Sequence, residues 1–230
     1  MKFFFGLLIG LILAIGIAAS GAYMAFGDLS NVGERDKSND ITRSYDFTDF
    51  DKVEIGGVYE FDVSVGEGFS ITISGAPEQM DRVDVSVVDG KLILDEARRE
   101  NRRRKWKDQG LEATISLPAL IALDVSGIVD GEITGVDAEE FDADFSGVGA
   151  IEILGTCGHF DADISGIGDF DAKELRCQTA DVDVSGIGDV DVYASEEIDI
   201  SMSGIGDVDI HGSPSRVDKN GSLFSDISVK

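Results

Sequence analysis

The chain has 230 residues, and its 45 acidic against 19 basic residues leave a formal charge of −26. That balance excludes nucleic acid as a partner, because phosphate binding needs a basic surface. With 28 glycines, 3 prolines and aliphatic residues spread through short alternating runs, the composition suits a turn-dense β protein of one large or two small domains.

Lys2 precedes an apolar run from Phe3 to Ala19, which resumes as Ala22 to Phe26. Residues 1–27 are therefore long enough to cross a bilayer as a transmembrane helix. The rival reading is a cleaved signal peptide, with Ala18-Ala19-Ser20 as the cleavage site, although the apolar core exceeds the ~7–15 residues usual for such peptides. Lys2 and Asp28 orient the anchor with the rest of the chain on the non-cytoplasmic side of the cell envelope. Gly6, Gly10, Ala14, Ala18 and Ala22 recur every fourth residue, a small-residue face that permits homo-oligomer contact between helices. Residues 28–44 are polar and without period, which predicts a linker.

From 45 to 117 the alternation predicts short strands around Val53 and Ile55, Tyr59 to Val65, Phe69 to Ile73, Val83 to Val87, and Leu92 to Leu94. Ala76-Pro77-Glu78 interrupts them, and Asp89-Gly90 is a turn signal. This region is expected to cap the N-terminal end of residues 118–230. Between Arg98 and Lys107, RRENRRRKWK holds seven of the 19 basic residues. It reads as an exposed loop, either attracted to the acidic remainder of the chain or, through Trp106, touching a membrane or an anionic glycan.

Residues 118–230 carry one sentence five times: LDVSGIVDGEI, ADFSGVGAIEI, ADISGIGDFDA, VDVSGIGDVDV and ISMSGIGDVDI. Its Ser-Gly corners fall at Ser126, Ser146, Ser165, Ser185 and Ser203, a period of 18 to 20 residues. That is too short for a helical repeat and right for one coil of a parallel β-helix. Period-two alternation within each unit predicts three apolar columns facing inward. They are Val125, Phe145, Ile164, Val184 and Met202; Ile128, Val148, Ile167, Ile187 and Ile205; and Ile133, Ile153, Ala172, Val192 and Ile210. The outward columns are acidic: Asp124, Asp144, Asp163, Asp183; Asp142, Asp161, Asp181, Asp199; Asp169, Asp189, Asp207; and Glu132, Glu152, Asp171, Asp191, Asp209.

The same register sets Cys157 and Cys177 each eight residues before a Ser-Gly corner. Adjacent parallel strands lie ~4.8 Å apart, within the Cα range of a disulfide, which predicts a Cys157–Cys177 bridge between neighbouring coils in an oxidising compartment, with two stacked free thiols as the alternative.

The order FTDFDKVEIGGVYEFDVSVGEGFSITISG, VDGKLIL, ATISLPALIALDVSG and then repeated SGIGDVDV resembles the bacterial head GIN domain family, described as putative auto-transporter adhesins. The most specific parts are Leu117-Pro118-Ala119-Leu120 running into Val125-Ser126-Gly127, and the Gly-x-Gly coils after it. The resemblance implies an all-β, right-handed parallel β-helix, an envelope location and no established enzymatic activity, and it supplies no catalytic residues.

Gly166-Ile167-Gly168 and its copies precede strands rather than a helix, so they are not a phosphate loop. Their role is to permit the corner. Gly-Asp-x-Asp is similar to the calcium nonapeptide of β-rolls, but its aspartates sit one place off and no nine-residue period exists. Looser Ca²⁺ binding by stacked carboxylates stays open, with Asp163, Asp183, Asp171 and Asp191 as the candidate ligands. Cys157, His159 and Cys177 lack a fourth zinc ligand. A polysaccharide lyase or hydrolase is the alternative to a non-catalytic role, using Asp161, Asp163, Asp181 and Asp183 as paired carboxylates. The expected partner is an envelope protein or a glycan.

Overall fold

The computed structural model describes residues 39–96, 110–222 and 225–230. The predicted anchor at 1–27, the linker up to Ser38 and the basic Arg98–Lys107 stretch lie outside the described residues. Residues 39–230 form a compact unit by themselves, and every buried residue of the hydrophobic cluster falls within it. Among the described residues no helix is long and apolar enough to cross a membrane.

The unit is an all-β solenoid of about five turns. Strands β8 (Ala122–Val125), β9 (Ile128–Phe145), β10 (Val148–Ile164), β11 (Ile167–Val184), β12 (Val190–Met202) and β13 (Gly206–Gly212) stack in parallel. Each long strand begins just after one Ser-Gly corner and ends just before the next. It therefore contributes to two faces, and the ladder shifts register between them, at Ile153/Gly155 against β9 and at Glu152/Leu154 against β11. The columns headed by Val125 and Ile133 are buried throughout, as alternation requires of a face that no single coil could cover alone. Phe141, Phe160 and Phe170 stack along the interior with ring centroids 5.9 and 6.4 Å apart.

The third predicted column is the exception. Ile128, Val148, Ile167, Ile187 and Ile205 point outward and are 47% to 54% exposed. Alternation does not reset at the corner. Val184 faces in, Ser185 out, Gly186 in and Ile187 out, and the inward place is taken by a residue with no side chain to reveal it.

The solenoid extends into the region expected only to cap it. β2 (Lys52–Ile55) pairs with β8, and β3 (Val58–Val65) pairs with the start of β9, with Gly56-Gly57 standing where later coils carry Ser-Gly. The chain then builds β4 (Ser70–Gly75), a single helical turn α1 (Pro77–Met80), and a hairpin of β5 (Val83–Val88) and β6 (Lys91–Glu96). Both hairpin-turn residues, Asp89 and Gly90, have positive φ, 51° and 77°, as a tight two-residue hairpin demands. β6 pairs with β2, and β7 (Leu111–Leu117) pairs with β3. The β6–β7 rung thus lies outside the β2–β3 rung although it comes later in the chain. Pro118 to Ile121 returns the chain to the opposite side of β2.

β1 (Ile41–Tyr45) lies antiparallel on β4, which lies antiparallel on β7. β1 begins inside the predicted linker at 28–44. Its side chains are exposed or half-buried; backbone pairing holds it together with Tyr45 against the core and Arg43 on the Met80 carbonyl and Asp81, and no hydrophobic period announces it.

Candidate functional site

The repeated corner is the feature around which the outer surface is arranged. Its sequence is Ser-Gly-Ile-Gly in three of the coils, and each of its two glycines has a steric reason. A Cβ on Gly147, Gly166, Gly186 or Gly204 would land on the carbonyl oxygen of the glycine one coil below. The second glycine of the corner, Gly149, Gly168, Gly188 or Gly206, has φ between 139° and 149°, a conformation that residues with a side chain rarely adopt. Backbones therefore stack directly at the corner, and this sets the rigid spacing of everything on either side.

On the face before the corner, Asp142, Asp161, Asp181, Asp199 and Asp218 are register partners in one column, and Glu54, Asp124, Asp144, Asp163 and Asp183 in the next. Lys91 closes the N-terminal end of the second column, donating to Glu54 at 3.1 Å and Asp124 at 2.8 Å. Past that end, Asp144 is raised above the usual carboxylate range, first by partial burial and then by Asp124 and Asp163. Asp161 is raised in the same way, by partial burial and then by Asp142 and Asp163. In both, partial burial is the larger cause and the neighbouring carboxylates add to it, against a smaller opposing effect of Lys91 on Asp144 and of His159 on Asp161.

On the face after the corner, Asp62, Glu132, Glu152, Asp171, Asp191 and Asp209 form the longest carboxylate column. Here two lysines and a histidine stand beside it. Lys173 pairs with Asp171, His211 with Asp191 at 2.6 Å, and Lys230 with Asp209 at 3.1 Å. Asp209 is held below the usual range, chiefly by the hydrogen bond from the Ser228 hydroxyl and then by Lys230.

The four candidate cation ligands fall into two stacked pairs, Asp163 over Asp183 before a corner and Asp171 over Asp191 after one. The structure does not bring the pairs together, and among the described residues no group of three or more such side chains converges to hold a metal. The four carboxylates considered for glycan chemistry, Asp161, Asp163, Asp181 and Asp183, are members of the regular ladder in adjacent columns.

Cys157 and Cys177 are register partners with Cα atoms 4.4 Å apart, joined as a disulfide between adjacent coils. His159 is not drawn to them. Its Nδ1 lies 2.8 Å from the Thr179 hydroxyl and its Nε2 3.8 Å from Asp181.

Sequence reasoning missed Lys173, His211 and Lys230 beside the column, and the Lys91 bridge. Lys173 and His211 each lie two residues beyond a carboxylate of the column, and Lys230 two beyond Ser228, which continues it past Asp209, a spacing that strand alternation would have put on the same face. Lys91 carried no such signal, because its partners come from strands remote in sequence.

Set beside known proteins, residues 49–214 match the family model described as "Putative auto-transporter adhesin, head GIN domain". Among solved structures, a putative adhesin from Bacteroides fragilis NCTC 9343 is similar at 24% identity and a TM-score of 0.65, over 83% of this chain and 97% of that one. A putative adhesin from Parabacteroides merdae ATCC 43184 is similar at 12% identity and a TM-score of 0.49, over 83% and 96%. Among curated proteins none matches the chain.

Proposed function

The chain belongs to the head GIN domain family, and on that premise we propose that it is a non-catalytic protein of the cell envelope. Its domain is held on the non-cytoplasmic side by residues 1–27 and presents a rigid acidic β-helix for adhesion or for scaffolding another envelope component. The observation that carries the reading is the in-register carboxylate surface, whose columns run without interruption past the corners on either side. A regular array of one charge, fixed by stacked backbone, suits recognition of an extended cationic or hydroxyl-rich partner by many weak contacts. The Cys157–Cys177 bridge fits an oxidising compartment.

Crosslinking in native cells, followed by identification of captured partners and thiol labelling of unreduced protein, tests the proposal. The expected result is an envelope protein or glycan captured in a ladder-dependent manner, with both cysteines refractory to labelling. Free thiols in protein from its native compartment would remove the envelope location. Turnover of a glycan that disappears in Asp163→Asn and Asp183→Asn would replace the proposal with an enzyme.

A further inference from the structure

The face before the corner holds a groove of about 510 Å³ that crosses four coils, from β10 through β11 and β12 to β14 (Arg216–Gly221). That volume suits a ligand of several rings. One wall is the register column Asp163, Asp183, Ser201 and Asn220. The other is the corner serines Ser165, Ser185 and Ser203, two residues further along each coil. The floor lies over the buried Ile164, Val184 and Met202.

Two observations set this groove apart from the rest of the acidic surface. Its first wall belongs to a column that carries carboxylates from Glu54 to Asp183 and then changes to a hydroxyl and an amide, whereas the neighbouring column keeps a carboxylate in every coil from Asp142 to Asp218. Among the described residues, moreover, the side chains of Ser165, Ser185, Ser201, Ser203 and Asn220 make no hydrogen bond, and Asp163 and Asp183 no ion pair. The groove thus offers hydroxyls and an amide that both donate and accept, beside two carboxylates that only accept.

Ligand classes meet that set differently. An anion is repelled by Asp163, by Asp183 and by the net charge of −26. A polycation has the unbroken Asp142–Asp218 column beside the groove and gains nothing from Ser201 and Asn220 in place of carboxylates. A purely apolar group would cover the hydroxyls and the amide without pairing them. An uncharged polyol satisfies the whole set, donating to the carboxylates and exchanging hydrogen bonds with the serines and Asn220.

The aliphatic line of the outer surface supports the same occupant. Ile167, Ile187 and Ile205 stand two residues beyond the groove serines, each about half exposed. Their side chains contribute to neither the core nor the bend, and a contiguous line of exposed aliphatics marks an interaction surface. A sugar ring has both faces that this arrangement requires, hydroxyls at its rim and C–H groups on its plane.

We propose that the groove binds an uncharged glycan laid along the coils, its hydroxyls on the Asp163–Asn220 column and the corner serines and its rings against Ile167, Ile187 and Ile205. Coils lie ~4.8 Å apart, close to the length of a sugar ring, so the chain advances about one sugar per coil and meets the same corner each time. The contacts are individually weak and accumulate with chain length. The proposal rests on the adhesion-like reading above and names its partner.

Residues 39–230, which hold their own core, are tested on immobilised glycans of three kinds: uncharged, uronate- or sulfate-bearing, and amine-bearing. Binding is expected on uncharged glycans alone, tightening up to about four sugars, one for each coil of the groove. It should be unchanged between ~0.05 and ~0.5 M salt, because no charge is neutralised. For the tightest of these glycans, titration calorimetry should show the dissociation constant rising about tenfold in Ser185→Ala with Ser203→Ala and about fivefold in Asn220→Ala. Ile187→Ser with Ile205→Ser should raise it about tenfold, and Glu132→Gln, on the other face, should leave it unchanged. The substituted groove and ridge positions are exposed, so these variants melt as the parent does.

No bound glycan, or binding confined to uronate-, sulfate- or amine-bearing glycans, overturns the proposal. So does an uncharged glycan whose affinity the groove and ridge variants leave unchanged. Capture of a protein alone by crosslinking in native cells keeps the adhesion-like reading and overturns the glycan, whereas turnover of the bound glycan removes the non-catalytic reading itself.

Discussion

Two continuous columns run along the face after the corner, and they change chemistry part way. At the N-terminal end the outward residues are neutral hydroxyls: Ser44, Thr72 and Thr114 in one column, with Thr42 and Ser74 hydrogen-bonded at 2.9 Å in the other. From Asp62 onward the first of these becomes carboxylates alone, through Glu132, Glu152, Asp171 and Asp191 to Asp209. The N-terminal strands are unlike one another and partly antiparallel, so each rung chooses its residues independently. The repeat coils copy one another, so whatever one coil carries meets itself one spacing above. Copying helps apolar side chains and stacked glycines, and it sets like charges side by side.

The sharpest contrast lies in the glycines, and the largest effect is expected there. Gly168 has φ 139° and its Cβ would collide with the carbonyl of Gly149, whereas Gly68, in the β3–β4 loop, has open space around it. Gly168→Ala should destabilise by roughly 3 kcal/mol or more, combining backbone strain with a contact that stacked main chain cannot relieve. Gly68→Ala should stay within about 0.5 kcal/mol. Chemical denaturation of the two variants checks this, and equal effects would mean that the corner does not depend on backbone stacking.

The sequence displayed the parts of the fold that copying produces. Register, the columns headed by Val125 and Ile133, the carboxylate columns and the alignment of Cys157 with Cys177 all come from superimposing units of 18 to 20 residues. What it concealed has specific causes. The phase of Ile187 was hidden because Gly186 occupies the inward place. The β6–β7 rung was hidden because its neighbours in space, β2 and β3, precede it by tens of residues, and non-local pairing leaves no periodic trace. β1 was hidden because its half-buried places hold Arg43 and Tyr45 rather than an apolar run.

The next contrast is between the two faces of the repeat coils, and it concerns charge. Asp163 has Asp144 and Asp183 as register partners, each repelling it by roughly 0.9 kcal/mol at ~4.8 Å in water and about half that at physiological salt. Asp163→Asn should therefore stabilise by about 0.5–1 kcal/mol, a rise of about 2–3 °C in melting temperature. Asp171→Asn, which removes the partner of Lys173, should gain less or lose. Added salt should raise the parent's melting temperature and raise it less in Asp163→Asn with Asp183→Asn. Millimolar Ca²⁺ at matched ionic strength should add an increment that the same double variant lacks, through bridging of Asp163 and Asp183. A response to salt alone keeps the ladder and removes the bridge; a response to neither removes both.

The smallest effect separates the faces by sign. Asp144 and Asp161 are raised in the folded state by partial burial and then by neighbouring carboxylates, so the folded protein holds protons that the unfolded chain has released. Their contribution is unfavourable above the folded pKa and is relieved as pH falls through it toward the unfolded value near ~3.9. Asp209 is lowered, first by Ser228 and then by Lys230. Its contribution is favourable above the unfolded value and is lost as pH falls through the folded one. Melting Asp144→Asn and Asp209→Asn beside the parent from about pH 7 to about pH 3 reads the two signs. Asp144→Asn should melt above the parent at neutral pH, with the gap closing on acidification before pH reaches the ordinary carboxylate range. Asp209→Asn should melt below the parent, with its gap closing only beneath that range. Gaps of one sign, or closing over one common interval, would mean that the cations beside the second face do not offset the crowding that the repeat imposes.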